Sequence, residues 1–130
     1  MIDVVDKPRQ GSLDPKIESL IDHKKHPKKG YVYCAACSHV ISHVDHRIQV
    51  TGSHAHHFTN PYGHEFDVGC YGEALGCAVG GNPTAADTWF PGYRWRLATC
   101  EECRIHLGWF FANAGNHSFY GLIIDRIQVD

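Results

Sequence analysis

The sequence predicts a mainly β domain, and three observations lead to that prediction. From Tyr31 onward, Val, Ile and aromatic residues occur in short runs; Gly, Pro and Asn separate the runs; and a helical pattern is confined to one short segment. Such spacing is typical of strands joined in hairpins. At 130 residues the chain is expected to form one domain, residues 30–130, preceded by a polar and flexible tail, residues 1–29.

Seven runs are predicted to be strands: "YVYC", "HVISHVDHRIQV", "HHFTN", "HEFDVGC", "YRWRLAT", "LGWFFA" and "FYGLIIDRIQV". Turns are expected between them, at Thr51-Gly52, Asn60-Pro61, Gly80-Gly81-Asn82-Pro83, Pro91-Gly92 and Ala114-Gly115-Asn116. The one helix expected inside the domain is near "YGEALG". A second helix is predicted in the tail at "LDPKIESLID", with Asp14 as its N-cap and Pro15 in the first turn.

Charge and hydropathy exclude several classes of partner. The net charge is −2, and the segment from Tyr31 onward holds five Arg against nine acidic residues, which argues against nucleic acid. No run approaches the roughly 18 apolar residues of a membrane span. The first residues, "MIDVVDKPRQ", lack the basic and then apolar pattern of a secretory signal. We therefore expect a cytoplasmic protein, in which paired cysteines more often bind metal than form disulfides.

Four cysteines form two Cys-x-x-Cys pairs, Cys34/Cys37 and Cys100/Cys103, with 62 residues between the pairs. Two intervening residues allow one tight turn to aim both thiolates at one ion, and two such turns complete a tetrahedral site. The alternatives are two disulfides or a redox dithiol, although a redox dithiol needs an α/β context. The pattern predicts a structural Zn²⁺, because four thiolates leave no open position for catalysis.

The other two cysteines, Cys70 and Cys77, lie among small and apolar residues in "DVGCYGEALGCAVGG". This setting favours buried, inert thiols. A disulfide between them is the alternative in an oxidising compartment.

Eleven histidines raise the question of a second metal site. His54 and His56 are expected on one strand face, and His39, His43 and His46 have helical spacing, so either cluster has ligands that suit a transition metal. No carboxylate is aligned with them, which favours structural or exposed histidines, and the role of segment 54–57 stays open. No Ser-His-Asp or paired-carboxylate pattern is recognisable either, so we predict no catalytic residue and no enzyme.

The three tryptophans lie within 21 residues. Trp89 and Trp95 flank the predicted Pro91-Gly92 turn, and Trp109 shares a strand face with Phe111 after the second cysteine pair. Alternation also predicts one face for Tyr93, Trp95, Leu97 and Thr99 and the other for Arg94, Arg96 and Ala98. The rings could line a pocket or could be the core itself. A pocket with such walls suits a flat apolar ring or a quaternary ammonium group.

Five segments, taken in order, resemble the CULT domain family, which comprises the thalidomide-binding domain of cereblon and stand-alone bacterial relatives. The segments are "YCAAC", "FTNPYGHEFDV", "DTWFPGYRWRLATCEEC", "HLGWFF" and "FYGLIIDRI". The resemblance covers roughly residues 31–127 and implies a stand-alone, bacterial-type member. It implies a β-tent fold, in which two antiparallel sheets are pinned by a Cys₄ zinc.

The resemblance also implies a site that holds cyclic imides such as glutarimides, or related ends of modified peptides and uracil-like rings. The cage falls on Trp89, Trp95 and Trp109, with Phe111 as a fourth wall. Asn60 and Pro61 fall in a flap over the ligand. The backbone from Asp87 through Thr88 to Trp89 supplies hydrogen bonds, namely the carbonyl of Asp87 and the N–H of Trp89.

One position departs from the family pattern. Animal members have a histidine where this chain has Asp87, and an ionised aspartate accepts hydrogen bonds but cannot donate them. We therefore expect an altered ligand preference. The family's ubiquitin-ligase role is not expected here, because 30 polar residues do not supply an adaptor-binding domain.

Two other functions are weighed against imide binding. The segment "CEEC…HLGWFF" also resembles type-B methionine sulfoxide reductases, but those enzymes use a cysteine after the second pair, and no cysteine follows Cys103. An aromatic cage can also read methylated ammonium groups.

Overall fold

The computed structural model describes residues 29–130. The predicted tail, residues 1–29, lies outside the described residues except for Lys29. So does the helix predicted at residues 13–22.

Within the described part, the chain is mainly β, with two antiparallel sheets, as predicted. The smaller sheet has the order β2-β1-β9 and the larger has the order β3-β4-β8-β7-β6-β5. The strands are β1 (Tyr31–Cys34), β2 (Val40–His43), β3 (Ala55–Thr59), β4 (Glu65–Tyr71), β5 (Cys77–Thr84), β6 (Tyr93–Cys100), β7 (His106–Asn113), β8 (Ser118–Ile123) and β9 (Ile127–Val129).

Two runs predicted as single strands are interrupted where the chain passes between the sheets. A 3₁₀ helix, Val44–His46, follows β2 and precedes the crossing to the larger sheet. A second one, Ile124–Arg126, separates β8 from β9 and returns the chain to the smaller sheet. A continuous strand cannot belong to two sheets that face each other, so each passage needs a break in the extended backbone.

The helix predicted near "YGEALG" is wrong, because this segment is a tight connection packed on β2. A side chain at Gly76 would bring its Cβ within 2.1 Å of the Val40 carbonyl oxygen. The N–H of Gly76 donates to the carbonyl of Ile41, and the Ser42 hydroxyl donates to the carbonyl of Glu73. A helix of six residues has too few internal hydrogen bonds to be stable. The contacts with β2 hold this segment instead.

The turn predicted at Gly80-Gly81-Asn82-Pro83 is also wrong, because these residues lie within β5. Gly80 pairs with Leu97 and Thr84 pairs with Trp95, so three residues of β5 bulge out opposite one residue of β6. Gly81 has φ +83° there, and the Nε of Arg96 donates to its carbonyl at 2.9 Å. β5 is an edge strand, where a proline and a bulge interrupt no second ladder.

The larger sheet has a core on each of its faces. One core, shared with the smaller sheet, contains Val32, Cys34, Ile41, Tyr71, Ala74, Cys100, Leu107 and Leu122. The other contains Val50, Val68, Cys70, Phe90, Trp109, Phe111, Phe119 and Ile123. Within β8, Leu122 belongs to the first core and Ile123 to the second, as strand alternation requires.

A β-bulge in β7 changes which of the two cores its residues enter. Ala98 pairs with Gly108 and Thr99 pairs with His106, so Leu107 is the extra residue. Leu107 therefore enters the first core while Trp109, two residues later, enters the second. Leu97 shares a strand face with Trp95, as predicted, and is 45% exposed. It lies opposite Gly80, which has no side chain to cover it.

Candidate ligand pocket and metal centre

A cavity of about 280 Å³ opens on the larger sheet beside the second core. It is lined by Asn60, Pro61, Tyr62, Asp87, Trp89, Trp95, Trp109 and Phe111. Seven of these eight are among the eight residues that the sequence predicts as ligand-binding. The structure brings them to one place from four separate parts of the chain.

Two residues mark the differences between the predicted and the observed lining. Thr88 does not line the cavity, because its hydroxyl is directed to the carbonyl of Phe90 at 3.4 Å. Tyr62 lines the cavity and is 86% exposed, and it was not among the predicted site residues. Its position directly after Pro61, in the predicted flap, is the signal that could have identified it.

Strand register places the rings of β6 and β7 side by side. Trp95 pairs directly with Phe111, and Leu97 pairs with Trp109, so Trp95 and Trp109 are diagonal neighbours on adjacent strands. Phe111 and Trp109 are buried, whereas Trp95 is half-buried. The rings of Trp109 and Phe111 therefore belong both to the second core and to the cavity wall. The sequence left core and pocket as alternatives, and these two residues serve as both.

Trp89 reaches the cavity from the loop before β6. Its ring lies 4.7 Å from that of Trp109, with the two planes at 77°. Phe58 of β3 stacks on the other side of Trp89 at 4.6 Å and 7°. Phe66 of β4 meets Trp109 edge-on at 5.3 Å. These two phenylalanines pack against the indoles, and neither was among the predicted site residues.

Two turns fix the loop that carries Trp89. The N–H of Tyr93 donates to the carbonyl of Phe90 at 3.0 Å, with Gly92 at φ +89°, which is the predicted Pro91-Gly92 turn. The N–H of Thr88 donates to the carbonyl of Ala85 at 3.2 Å, with Asp87 at φ +55°. Aspartate tolerates this left-handed conformation better than most residues do.

Asp87 and Trp89 both line the cavity, so their polar backbone groups lie near it. Within residues 29–130, neither the carbonyl of Asp87 nor the N–H of Trp89 forms a hydrogen bond. Asp87 is the one charged residue of the lining, which includes no Lys, Arg or His. The cavity thus combines aromatic faces with a small polar edge that is negative overall.

The flap between β3 and β4 is organised by Asn60. Its carboxamide oxygen accepts hydrogen bonds from the N–H groups of Tyr62 and His64, at 3.0 and 2.9 Å. The backbone N–H of Asn60 donates to the carbonyl of His64 at 2.9 Å. The side-chain oxygen of Asn60 is therefore used within the loop, and its NH₂ group forms no hydrogen bond within residues 29–130.

The four cysteines of the two pairs meet at the junction of the sheets. Cys34 ends β1 in the smaller sheet and Cys100 ends β6 in the larger sheet. All four sulfur atoms lie within 4.8 Å of one another. The Sγ atoms of Cys34 and Cys103 are 3.7 Å apart, and those of Cys37 and Cys100 are 3.6 Å apart. Around an ion with bonds of about 2.3 Å to sulfur, the sulfur atoms of a tetrahedron lie about 3.8 Å apart. The cluster therefore has the dimensions of a metal site.

The two cysteine turns have the same backbone structure. The carbonyl of Cys34 accepts from the N–H of Ser38, and the carbonyl of Cys100 accepts from the N–H of Arg104. Ser38 and Arg104 have φ of 66° and 71°. The same local geometry, formed by different residues, presents two sulfur atoms from each turn.

The thiols of this cluster are in unequal environments. Burial raises the pKa of Cys100, and a hydrogen bond to the backbone of Ile105 lowers the pKa of Cys103. A bound cation would offset the cost of burial, because metal-bound cysteines are thiolates.

The other two cysteines, Cys70 and Cys77, are not members of the four-cysteine cluster. Cys70 and Cys77 are free thiols. Burial raises the pKa of Cys70 to about 11 and that of Cys77 to about 12, as expected for inert thiols. Within the described residues, the four-cysteine group is the only cluster of three or more His, Cys, Asp or Glu with metal-binding spacing.

Segment 54–57 is engaged in hydrogen bonds of the β3–β4 region. A ring nitrogen of His54 bonds to the carbonyl of Ile48, and one of His56 bonds to the carbonyl of Ser53. His57 lies between two carboxylates, Asp67 at 2.8 Å and Glu65 at 2.9 Å. Hydrogen bonds to Asp67 and Glu65 raise the pKa of His57.

No helix of the described chain is long and apolar enough to cross a membrane; the two present are 3₁₀ turns of three residues each.

The fold and these two sites define a class: a β domain whose sheets meet at a four-cysteine cluster and whose larger sheet carries an aromatic-walled cavity. Curated relatives of this sequence are named protein cereblon. The relative from Drosophila simulans is 30% identical over 107 residues, which is 75% of this chain and 17% of the relative. The relative from Xenopus tropicalis is 29% identical over 75 residues, 55% of this chain and 17% of the relative. The relative from Danio rerio is 34% identical over 55 residues, 42% of this chain and 13% of the relative.

The match spans about a sixth of the length of these relatives. No family model matches the chain. Over the matched residues the chain is similar to protein cereblon, which is consistent with a CULT-like domain.

Proposed function

We propose that this domain is a non-catalytic binding module that holds a small ring with an imide-like edge in the aromatic cavity. One observation carries the proposal: three indoles and a phenyl ring line a cavity of about 280 Å³ beside a backbone carbonyl and an N–H that form no hydrogen bond within residues 29–130. The volume is at the lower end of the range for small-molecule sites.

The chemistry of a cyclic imide matches this arrangement. Its N–H can donate to the carbonyl of Asp87, and one of its carbonyls can accept from the N–H of Trp89. The methylene side of the ring then meets the faces of Trp89, Trp95 and Trp109, where it is removed from water. This mode of binding requires no catalytic base. The partners consistent with it are small cyclic imides or modified peptide ends that contain such a ring.

We further propose that the four-cysteine cluster holds a structural Zn²⁺. Four thiolates in a tetrahedron of this size suit zinc and leave no position for a substrate. The ion would link the end of β1 to the end of β6 and so stabilise the junction of the two sheets.

Titration with glutarimide tests the main proposal, with tryptophan fluorescence and calorimetry as readouts. We expect saturable binding of glutarimide that is lost in Trp95→Ala. Leu97→Ala serves as the matched control, because Leu97 lies on the same strand but does not line the cavity. Full glutarimide affinity in Trp95→Ala would contradict a site in this cavity.

A second candidate is a reader of methylated ammonium groups. It is favoured by the acidic Asp87 beside three indoles, since a cation gains from both carboxylate and ring faces. Tetramethylammonium and trimethyllysine are the probes. Binding of these compounds, with no binding of glutarimide, would select this function over the first.

Methionine sulfoxide reduction is the enzymatic alternative. The reductase mechanism needs a cysteine after the second pair, and the sequence from Arg104 to Asp130 contains none. We expect no loss of sulfoxide when the protein is incubated with methionine sulfoxide and a dithiol.

A further inference from the structure

Asp87 gives the cavity a polar edge of three groups rather than two. Asp87 is an exposed residue of the cavity lining, and its carboxylate forms no ion pair within residues 29–130. The backbone carbonyl of Asp87 and the N–H of Trp89 form no hydrogen bond within the same residues. This edge therefore offers two acceptors, the carboxylate and the backbone carbonyl of Asp87, and one donor, the N–H of Trp89.

A cyclic imide matches two of these three groups. Its edge offers an acceptor, a donor and an acceptor, namely carbonyl, N–H and carbonyl. Suppose that the imide N–H faces the backbone carbonyl of Asp87 and that one imide carbonyl faces the N–H of Trp89. The second imide carbonyl then faces the carboxylate of Asp87. Two acceptors then face each other, and neither has a hydrogen to share.

Replacement of that one carbonyl oxygen by nitrogen removes the conflict. In a protonated cyclic acyl-amidine or acyl-guanidine, the edge offers amino, N–H and carbonyl, which is donor, donor and acceptor. The amino group can donate to the Asp87 carboxylate as a charge-assisted hydrogen bond. The positive charge, shared over the ring edge, also gains from the indole faces, and the lining holds no cation to oppose it.

We propose that Asp87 selects cyclic acyl-amidinium or acyl-guanidinium ligands over cyclic imides. This inference rests on the proposed function, because it assumes a ring held in the same cavity. It assigns the ligand class and the residue that determines it.

The turn geometry provides a matched variant. Asp87 has φ +55°, a conformation that asparagine also adopts readily. The indole N–H of Trp95 donates to the carbonyl of the preceding residue, Ala86, at 2.8 Å, so the turn is held independently of the side chain at 87. Asp87→Asn should therefore change the hydrogen-bonding character of the edge and leave its shape intact. The asparagine NH₂ can donate to an imide carbonyl.

The experiment compares two rings that differ in one atom: glutarimide and 6-iminopiperidin-2-one, in which one carbonyl oxygen is replaced by nitrogen. Calorimetry is carried out on the full chain below the pKa of the imino ring, with the wild type, Asp87→Asn and Trp95→Ala. A charged hydrogen bond contributes enough for about a tenfold preference or more. We expect the wild type to bind the imino ring at least about tenfold more tightly than glutarimide. We expect Asp87→Asn to reverse that order, and Trp95→Ala to weaken both.

The outcomes separate this inference from the proposed function. If the wild type binds both rings equally or prefers glutarimide, or if Asp87→Asn keeps the wild-type preference, Asp87 does not select the ligand. Trp95-dependent glutarimide binding would in that case still support the proposed function. If neither ring binds the wild type or Asp87→Asn, both the proposed function and this inference are wrong.

Discussion

The indole N–H of Trp95 donates to the backbone carbonyl of Ala86 across 2.8 Å. The bond joins β6 to the turn that presents Asp87, so one cavity wall fixes the position of the polar edge.

Trp95→Phe should destabilise this turn. The variant keeps an aromatic ring but loses the donor, and a net hydrogen bond contributes about 1 kcal/mol. The matched control is Trp89→Phe, because Trp89 also lines the cavity but its indole N–H has no acceptor within residues 29–130. Urea denaturation should show Trp95→Phe to be the less stable of the two. Equal stability of the two variants would mean that the bond to Ala86 contributes nothing.

The four-cysteine cluster should bind one metal ion per chain and make folding depend on it. Binding of zinc to a site of this type is coupled to folding by on the order of 10 kcal/mol. We expect elemental analysis to find one equivalent of zinc, and Cys103→Ser or a strong chelator to lower the melting temperature sharply.

Cys70→Ala is the control for removal of a thiol. Cys70 is buried in the second core, away from the cluster, and is not one of its four members. This variant should lose some stability through packing but keep its full zinc content. Loss of zinc from Cys70→Ala, or retention of zinc by Cys103→Ser, would contradict the assignment of ligands.

His57 should make the stability of the β3–β4 hairpin depend on pH. Its ring bonds to Asp67 and Glu65, and these bonds raise its pKa in the folded protein. The folded state therefore holds the proton more tightly than the unfolded chain, whose histidines titrate near about pH 6.5. The stabilisation is fully present below that pH and is lost as the pH rises through the raised pKa of His57.

His57→Gln tests this dependence in urea titrations from mildly acidic to mildly alkaline pH. The wild type should be more stable than the variant at the acidic end, and the difference should shrink as the pH rises. His64→Gln is the control, because His64 lies in the loop of the same hairpin but its imidazole forms no hydrogen bond within residues 29–130. A stability difference between wild type and His57→Gln that is constant with pH would contradict a protonated bridge.

Gly108 should tolerate no side chain. A Cβ at this position would lie 1.9 Å from the carbonyl oxygen of Gly121 on the neighbouring strand, well inside contact distance. Gly108→Ala should therefore force β7 away from β8 and cost at least about 3 kcal/mol, in the range of severe core substitutions. Gly80→Ala is the control, since a Cβ at Gly80 would meet no other atom within 4 Å. Thermal unfolding of both variants distinguishes close packing from a general effect of replacing glycine.

The sequence was most informative where chemistry restricts the residue type. Two Cys-x-x-Cys pairs in a β context favour one group of four sulfur ligands, and the four sulfur atoms do lie within 4.8 Å of one another. Trp95 and Phe111 lie on strands with clear alternation, so their proximity could be anticipated once β6 and β7 were paired.

Long-range packing decided what the sequence could not predict. The run of Gly, Asn and Pro at residues 80–83 is typical of a turn and equally of a β-bulge. Only the pairing with strand β6 distinguishes the two. The position of Leu107 likewise depends on a bulge that no local pattern marks. The stacking of Phe58 on Trp89 joins residues 31 positions apart, in a strand and a loop that share no periodicity.

β6 carries Trp95 near its start and Cys100 at its end. Five residues of extended chain span roughly 17 Å, so the four-cysteine cluster and the cavity lie at the two ends of one strand. Loss of the ion would therefore change the surroundings of a fluorescent reporter even when no ligand is present. A fluorescence titration of this protein measures ligand binding only if the metal content is held constant and measured alongside it.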